Sequence, residues 1–251
     1  MSDKEQWMIR AIDLAQRAQQ QNRYCYSKFL TLEEQDQVKR AMKKEGYTNY
    51  CFDGGVESAI RRIAVFGSEK ELGYEPQSPI SVIHIQPLAE KFAEDLTHRD
   101  YLGAILNLGI DRSTTGDILI KGKQAWLFCL ESTAEFIIEN LQTVRHTRVK
   151  CSMENGAVPQ IQPVLKEFSL NVSSERLDAL IAAVTGESRS KAQKLLLDER
   201  IFVNGSCIKN AGTTLKEGDV LTIRGFGKMI YQGIEGKSKK GRYYVTVKRY
   251  I

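Results

Sequence analysis

At 251 residues the chain can build two or three small hydrophobic cores, and an apolar content of 42% is too high for a disordered protein. Its longest uncharged stretch, residues 76–89, contains three prolines and is too short for a membrane span, and the charged start does not resemble a secretory leader. We therefore expect a cytoplasmic, multidomain protein with no membrane partner. The five cysteines and three histidines are scattered singly, so no disulfide framework, metal site or cofactor is predicted.

The net charge of +5 is unevenly distributed along the sequence. From Lys166 onward there are 16 Lys and Arg against 9 Asp and Glu, whereas residues 1–165 hold 20 against 22. The C-terminal third is therefore the part that we expect to meet a polyanion.

Two polar, turn-rich joints, residues 67–79 and 152–163, divide the sequence into three segments. We predict an α/β domain over residues 1–75, a ferredoxin-like domain over 76–162 and a third domain over 170–251. The expected fold class is therefore α+β, with three small domains.

The N-terminal segment is predicted to be mostly helical. Apolar residues recur at helical spacing early in the segment, and a second helix is expected to start at a Thr31 cap and to end at Gly46. A Gly54-Gly55 turn then leads to either a helix or a strand that ends at Phe66.

The middle segment alternates between strand and helix patterns in the order β-α-β-β-α-β, with one helix expected over residues 89–109 and a hairpin turn at Gly122. That order predicts a ferredoxin-like sandwich, which RNA-recognition motifs also use. Lys121, Gly122 and Phe128 fit the RNA-recognition pattern, but its intervening aromatics are absent. We therefore interpret Trp126 and Phe128 as packing residues.

The C-terminal segment is predicted to form two short helices followed by strands, an αα-β arrangement. Ser174 is expected to cap the first helix, which ends at Gly186, and Ser188 to cap a second helix that presents cations beside its N-terminus. The Asn204-Gly205 pair predicts a hairpin turn, and a further hairpin is expected to turn at Gly218-Asp219.

These C-terminal residues resemble the RNA-binding domain named after ribosomal small-subunit protein S-four. The family pattern is matched, in order, by Arg176-Leu177-Asp178, Ser188-Arg189-Ser190-Lys191-Ala192, Val203-Asn204-Gly205, Gly218-Asp219 and Arg224-Gly225. The resemblance implies an RNA surface on the second helix and the loops around it. The predicted RNA-binding residues are Arg176, Ser188, Arg189, Lys191, Lys194, Arg200, Asn204, Lys209, Arg224 and Lys228.

Other candidates have both a functional and a structural interpretation. The basic hairpin tip with Lys237, Lys239 and Lys240 either binds RNA or is solvated. Outside the C-terminal segment, Arg61 and Arg62 either contact nucleic acid or lie on a solvated face. Arg112 is either a secondary RNA contact or a residue that sets the conformation of its loop. A catalytic pairing of His98 with Asp100 or Asp111 is conceivable, but residues two apart on a helix face different directions.

The whole chain resembles the YlmH-type bacterial proteins, chiefly through "HRDYLGAILNLGIDRSTTGDI" at residues 98–118 and "FDGGVESAIRR" in the N-terminal segment. We expect a monomer, and the resemblance implies a ribosome-associated RNA-binding protein that acts on the large subunit and tRNA in the rescue of stalled translation. It also implies genes that lie near cell-division clusters.

An alternative is an RNA-modifying enzyme. Pseudouridine synthases that carry the same RNA-binding domain use an Arg-Leu-Asp motif with a catalytic carboxylate, which would make Asp178 the acid. Too few residues follow Asp178 for such a catalytic domain, and no G-x-G-x-x-G is present for a methyltransferase cofactor. We therefore expect no enzymatic activity. A third hypothesis is a protein adaptor that uses the acidic N-terminal two-thirds.

Overall fold

A computed structural model describes residues 3–154, 156, 158, 165–238 and 241–250. The chain divides into two compact units, residues 1–161 and 162–251, so the domain boundary predicted near residue 75 lies inside the first unit. Helices and antiparallel sheets occur in both units, which confirms the α+β class. None of the described helices combines the length and the apolar character that crossing a bilayer requires.

The N-terminal segment places helices beside a small sheet. Its elements are α1 (Asp3–Gln21), β1 (Cys25–Tyr26), α2 (Leu32–Glu45), β2 (Tyr50–Asp53), β3 (Ile63–Phe66) and α3 (Glu69–Leu72), with strand order β1-β3-β2. The predicted cap is confirmed: Thr31 and Glu34 form a capping box at the start of α2, and Gly46 ends the helix at φ +69°. The element that ends at Phe66 is a strand.

The middle segment has the predicted order of elements. They are β4 (Ile80–Pro87), α4 (His98–Asn107), β5 (Thr115–Lys121), β6 (Gln124–Leu130), α5 (Glu131–Asn140), β7 (Thr143–Val144) and β8 (Thr147–Met153), with short 3-10 turns at Glu90–Phe92 and Arg112–Thr114. The strand order β5-β6-β4-β8-β7 contains the ferredoxin-like arrangement, extended by β7. The helix predicted over 89–109 is wrong in its first half, because a capping box between Thr97 and Asp100 starts α4.

The two faces of this sheet are covered by different partners. Along β6, Ala125, Leu127 and Cys129 pack in the core that contains α4 and α5, and the side chains between them point to the opposite face. On that opposite face Phe128 is fully buried in a cluster with Phe29 and other residues of the N-terminal segment. The packing interpretation is therefore confirmed, because the sheet face that RNA-recognition motifs use is partly closed by the chain itself.

The same strand holds an aromatic stack next to the covered region. The rings of Trp126 and His84 are stacked at 4.7 Å, and the Trp126 Nε1–H donates to Glu154 at 3.1 Å. Trp126 is 5% exposed, so its ring serves packing as predicted.

Arginine side chains join the N-terminal segment to the ferredoxin-like part. The Arg61 guanidinium donates to the carbonyls of Phe29, Arg112 and Thr115 at 3.0, 3.3 and 3.1 Å. Arg112 donates to the carbonyls of Thr115 and Gly116 at 2.6 and 3.1 Å, and burial together with Arg61 lowers the pKa of Arg112 to about 10.

Arg62 is used in a similar way, since its guanidinium donates to the carbonyls of Glu57 and Ala59 at 2.6 and 2.9 Å. The solvated face expected for Arg61 and Arg62 is therefore wrong, because both guanidinium groups are held by backbone carbonyls. For Arg112 the structure favours the loop-setting interpretation.

The second unit is a helix pair packed on a six-stranded sheet. Its elements are β9 (Leu165–Val172), α6 (Leu177–Thr185), α7 (Arg189–Leu197), β10 (Ile201–Val203), β11 (Ser206–Cys207), β12 (Val220–Ile223), β13 (Gly227–Lys237) and β14 (Tyr243–Tyr250). The strand order is β11-β10-β12-β13-β14-β9, and Leu177, Ile181, Ala192 and Leu196 pack α6 and α7 onto one face. Gly186 ends α6 at φ +71°, as predicted.

Two sequence predictions for this unit, a helix cap and a hairpin turn, are wrong. The N-cap of α6 is Arg176 rather than Ser174, because Leu177 donates its N–H to the Thr213 carbonyl and so fixes the start of the helix. The hairpin that follows turns between β12 and β13 rather than at Gly218-Asp219, because Gly218-Asp219 precedes the first of those strands. Residue Thr214 instead forms an isolated bridge with Arg176.

Candidate nucleic-acid interface

The candidate interface is built around a buried carboxylate at the start of α6. Asp178 is 1% exposed, and its two oxygens accept hydrogen bonds from three side chains. Arg176 donates from Nε and Nη2 at 3.1 and 3.3 Å, Arg189 from Nη2 at 3.3 Å and Gln193 from Nε2 at 3.2 Å. The carboxylate therefore links the start of α6 to the first two turns of α7.

The negative charge of Asp178 is compensated by the side chains that donate hydrogen bonds to it. Burial raises the pKa of the Asp178 carboxyl, but hydrogen bonds from Arg176, Gln193 and Arg189 outweigh that effect and leave the pKa below its usual value. The hydrogen bond to Asp178 in turn raises the pKa of Arg176. The interpretation of Asp178 as a local structural element is therefore confirmed, since its oxygens orient two arginines.

The two arginines keep part of their surface in solvent. The side chains of Arg176 and Arg189 are 49% and 47% exposed, and Arg189 also donates to the Ser174 hydroxyl at 3.2 Å. A guanidinium has five donor groups, so each arginine retains donors for a further acceptor after it has bound Asp178. The pair thus presents a fixed, positively charged surface.

The N-terminus of α7 lies beside these arginines. Ser188 caps the helix by accepting the Lys191 N–H at 3.3 Å, as predicted, and its hydroxyl lies 2.9 Å from that of Ser190. The remaining free N–H groups of a helix N-terminus attract anions. Arg176, Arg189 and the capped start of α7 therefore form one local anion-attracting surface.

Lysines extend this surface along α7. The Lys191 Nζ lies 2.7 Å from Glu187 Oε2. This ion pair is exposed and contributes little to stability, so Lys191 can leave Glu187 to bind another anion. Lys194 is exposed, and it has no ion pair within the part of the chain that the structure describes. Both ammonium groups are therefore accessible to phosphate.

The predicted residues beyond α7 fall into separate groups. Arg200 donates to the Arg224 carbonyl at 2.8 Å and accepts the Arg224 N–H at 2.9 Å through its own carbonyl, which brings these two residues together at the end of β12. Lys209 pairs with Glu199 at 2.7 Å, and Lys228 lies on β13 opposite Thr222. The group around Asp178 differs in that one buried carboxylate joins its members.

Asn204 forms part of the hairpin turn between β10 and β11. Its backbone has φ +50° and that of Gly205 has φ +76°, as a two-residue turn of this kind requires. Its carboxamide donates to Asp219 at 2.8 Å and accepts the Val220 N–H at 2.9 Å. The structure gives this side chain a turn-stabilising role, and its contact with RNA stays a prediction.

The basic hairpin tip is described only in part. Lys237 Nζ lies 4.6 Å from the centre of the Tyr243 ring, whereas Lys239 and Lys240 lie outside the described residues.

One residue of the interface was missed from the sequence. Gln193 lies one turn into α7 and completes the set of donors to Asp178, and no local motif marks it, since its partner lies in the preceding helix.

Two family models match the chain. The model described as "Putative RNA-binding domain in YlmH" matches residues 77–157, and the model described as "S4 domain" matches residues 175–221. The fold and the matched domains thus define an α+β protein with two domains of RNA-binding type, the S-four-type domain being C-terminal. The chain has the domain composition of the YlmH-type proteins, which confirms the resemblance.

Individual similar proteins come from two bacteria. A curated relative from Bacillus subtilis (strain 168), "Ribosome-associated protein quality control protein P2", is 29% identical over 250 residues, covering 98% of this chain and 95% of that protein. A solved structure described as "Cell division protein ylmH from Streptococcus pneumoniae" is 19% identical and has a TM-score of 0.48, covering 61% of this chain and 93% of that one.

Proposed function

We propose that this protein is a non-catalytic RNA-binding protein that associates with the ribosome and acts in the rescue or quality control of stalled translation. The observation that carries the RNA-binding part is the buried Asp178, which holds Arg176 and Arg189 beside the N-terminus of α7. The ribosomal part is supported by the name of the curated relative from Bacillus subtilis, which places that protein in ribosome-associated quality control.

The chemistry of the helix pair suits a phosphate backbone. Arg176 and Arg189 are fixed in place before binding, which reduces the side-chain entropy that a complex must otherwise lose. Lys191 and Lys194 add mobile charges that neutralise further phosphates and release counterions. Binding of this kind depends on RNA shape, because none of the described residues that form this surface is aromatic and could stack on a base.

The enzymatic alternative is not favoured by the geometry of the carboxylates. The oxygens of Asp178 are engaged by Arg176, Arg189 and Gln193, so its carboxylate is committed to holding the interface together. We therefore propose that Asp178 has no catalytic role.

The same holds for the two carboxylates that the sequence offers as catalytic partners of His98. Asp100 accepts hydrogen bonds from the Thr97 N–H and hydroxyl at 2.8 and 2.6 Å, and Asp111 accepts from the Ser113 N–H and from Lys28, both at 2.9 Å. Each carboxylate thus has a structural partner.

We further propose that the ribosomal partner is the large subunit, through its rRNA or a bound tRNA, that the protein acts as a monomer, and that it works in the cytoplasm where ribosomes are found. RNA crosslinking in cells followed by sequencing tests the choice of partner. Enrichment of large-subunit rRNA and tRNA is expected, and a random transcript profile would contradict the proposal.

A salt titration of the full chain tests the binding surface. If five to seven cations contact phosphates, the logarithm of the tRNA affinity should fall with the logarithm of salt concentration with a slope of about −4 to −6. The double variant Lys191→Gln, Lys194→Gln should lower the magnitude of that slope by about 1.5 to 2. These lysines are preferred to Arg189 because replacing Arg189 would also remove a partner of the buried Asp178.

The matched control removes the same charge from the first unit. Lys43→Gln, Lys44→Gln changes two exposed lysines in the last turn of α2 and should leave the slope within error of the wild type. A wild-type slope near zero, or an equal reduction by both double variants, would refute this placement of the RNA surface.

A further inference from the structure

A groove lined by both polar and apolar side chains lies on the helical side of the ferredoxin-like part, away from the sheet face that the N-terminal segment covers. It has a volume of about 580 Å³, which is within the range of small-ligand sites. One wall is the face of α4 that carries Arg99, Gly103 and Asn107, four residues apart each time. The other wall is formed by Asn140 at the end of α5 and by Gln142 and Arg145 in the segment between α5 and β8.

Gly103 lines the groove without contributing a side chain to it. It lies in the middle of α4, where glycine is among the least favourable residues for helix stability. A Cβ atom built at this position would meet no other atom within 4 Å, so the packing of the protein does not require glycine. The absence of a side chain therefore leaves space that a molecule in the groove can use.

Arg145 is held at the rim in a conformation that glycine prefers. Its φ is +52°, in the two-residue turn that joins Val144 of β7 to Thr147 of β8. A two-residue hairpin turn requires a positive φ at this position, so the turn itself holds the backbone of Arg145 in this conformation. The side chain is 54% exposed and its Nε lies 3.7 Å from Asp100, so most of its donors remain available.

The lining chemistry matches a nucleotide. Arg99 and Arg145 supply two guanidinium groups, which suit phosphate oxygens or the face of a base. Asn107, Asn140 and Gln142 supply carboxamides, which both donate and accept hydrogen bonds as the edges of nucleobases do. The one acidic side chain among the described lining residues, Asp100, is already engaged by Thr97.

We infer that this groove holds one unstacked nucleotide of an RNA loop, as a second contact separate from the helix pair α6–α7. The inference rests on the proposed RNA-binding function. It also gives each half of the 98–118 motif a role. Residues 111–117 form hydrogen bonds to the N-terminal segment. Arg99, Gly103 and Asn107 line the groove.

Two substitutions separate binding from folding, because both remove an unfavourable feature of the fold. Gly103→Ala should raise the thermal unfolding midpoint by about 2 to 4 °C through helix propensity, while its methyl group occupies the groove. Arg145→Gly should not lower the midpoint, because it relieves the positive φ. Each should nevertheless weaken the affinity of the full chain for a hairpin oligoribonucleotide with an unpaired loop by about tenfold.

The matched controls lie in the same part of the chain but outside the groove. Ser132→Ala improves helix propensity on an exposed position of α5, and Arg148→Gln removes an exposed cation from β8. Both should leave RNA affinity within about twofold of the wild type. A Gly103→Ala variant that is as stable as the wild type or more so, and binds RNA equally well, would overturn the inference.

Crosslinking identifies the ligand directly. With 4-thiouridine in the hairpin loop, crosslinks are expected in peptides that contain Arg99 to Asn107 or Asn140 to Arg145, and these should vanish when the probe is moved to the paired stem. Crosslinks confined to residues 176–200 would overturn the groove assignment and leave the proposed function intact.

Two further outcomes are decisive. If neither the wild type nor any variant binds RNA, the proposed function fails and this inference fails with it. If a labelled oligoglutamate peptide binds in a manner sensitive to Gly103→Ala while RNA does not, the groove accepts an acidic protein partner and the nucleotide assignment is overturned.

Discussion

Replacing Asp178 by asparagine tests whether its negative charge organises the interface. The side chain keeps its size but loses the charge that attracts Arg176 and Arg189, and its new amide group points a donor at other donors. Breaking a fully buried ion pair costs about 3 to 5 kcal/mol. Because the two arginines are 49% and 47% exposed, water replaces part of the lost interaction, and we expect a loss of about 2 to 3 kcal/mol in unfolding free energy.

The effect should depend on pH in one direction. The pKa of Asp178 is lower in the folded protein than its unfolded value of about 3.9, so folding is stabilised by the ionised form. That stabilisation is fully present above about pH 4 and is lost as the pH falls through the folded-state pKa. The difference between wild type and Asp178→Asn should therefore be constant at neutral pH and disappear in acid.

The positions of the tryptophans provide the assay. Both, Trp7 and Trp126, lie in the first unit, so tryptophan fluorescence reports that unit alone, while far-UV circular dichroism reports both units. In urea, Asp178→Asn should shift the dichroism transition of the second unit and leave the fluorescence transition in place. Asp198→Asn, at an exposed position after α7, is the control and should change the unfolding free energy by less than about 0.5 kcal/mol.

The reasoning would be refuted by either of two results. One is an Asp178→Asn variant whose dichroism transition coincides with that of the wild type at pH 7. The other is a stability difference that stays unchanged as the pH falls from neutral into the acid range, since protonation removes the charge of the wild-type carboxyl there.

Two further predictions concern the first unit. Gly116→Ala would place a methyl group 2.6 Å from the Phe29 ring at the junction with the N-terminal segment. We expect the unfolding free energy to fall by about 1 to 3 kcal/mol, measured as a fluorescence transition at lower urea concentration. An unchanged transition would contradict this close packing. In alkylation of the native chain at pH 8, the exposed Cys51 should react before Cys129 and Cys151, because burial raises the pKa of those two thiols to about 12 and about 11. Equal rates for the three cysteines would show that the core opens on the time scale of the labelling.

Features that depend on neighbouring residues could be predicted from the sequence. The Thr31 cap, the Gly46 stop and the Asn204-Gly205 turn each arise from residues a few positions apart, and all three are confirmed. The start of α4 depends on the equally local pair of Thr97 and Asp100, which is visible in the sequence and could have corrected the helix predicted over 89–109.

Features that depend on distant partners could not be predicted. Arg61 looks like a surface cation in the sequence, but its guanidinium is taken up by carbonyl groups of Phe29 and Thr115, which no periodic pattern connects to it. Arg189 was predicted as a direct RNA contact, and its partnership with Asp178 across two helices emerges only from their packing. The RNA-binding roles of Lys191 and Lys194 are tested by their double variant, and those of the other predicted residues stay predictions.

The pairing of β9 with β14 has a consequence for how the protein is made. Leu165 pairs with Tyr250 and Val172 with Tyr243, so the first strand of the second unit is hydrogen-bonded to a strand that leaves the exit tunnel much later. Until β14 has emerged, β9 and β13 each lack the neighbour that lies between them in the sheet. The first unit depends on none of these strands and can fold during synthesis, whereas the second unit completes its sheet only after residue 250 has been added.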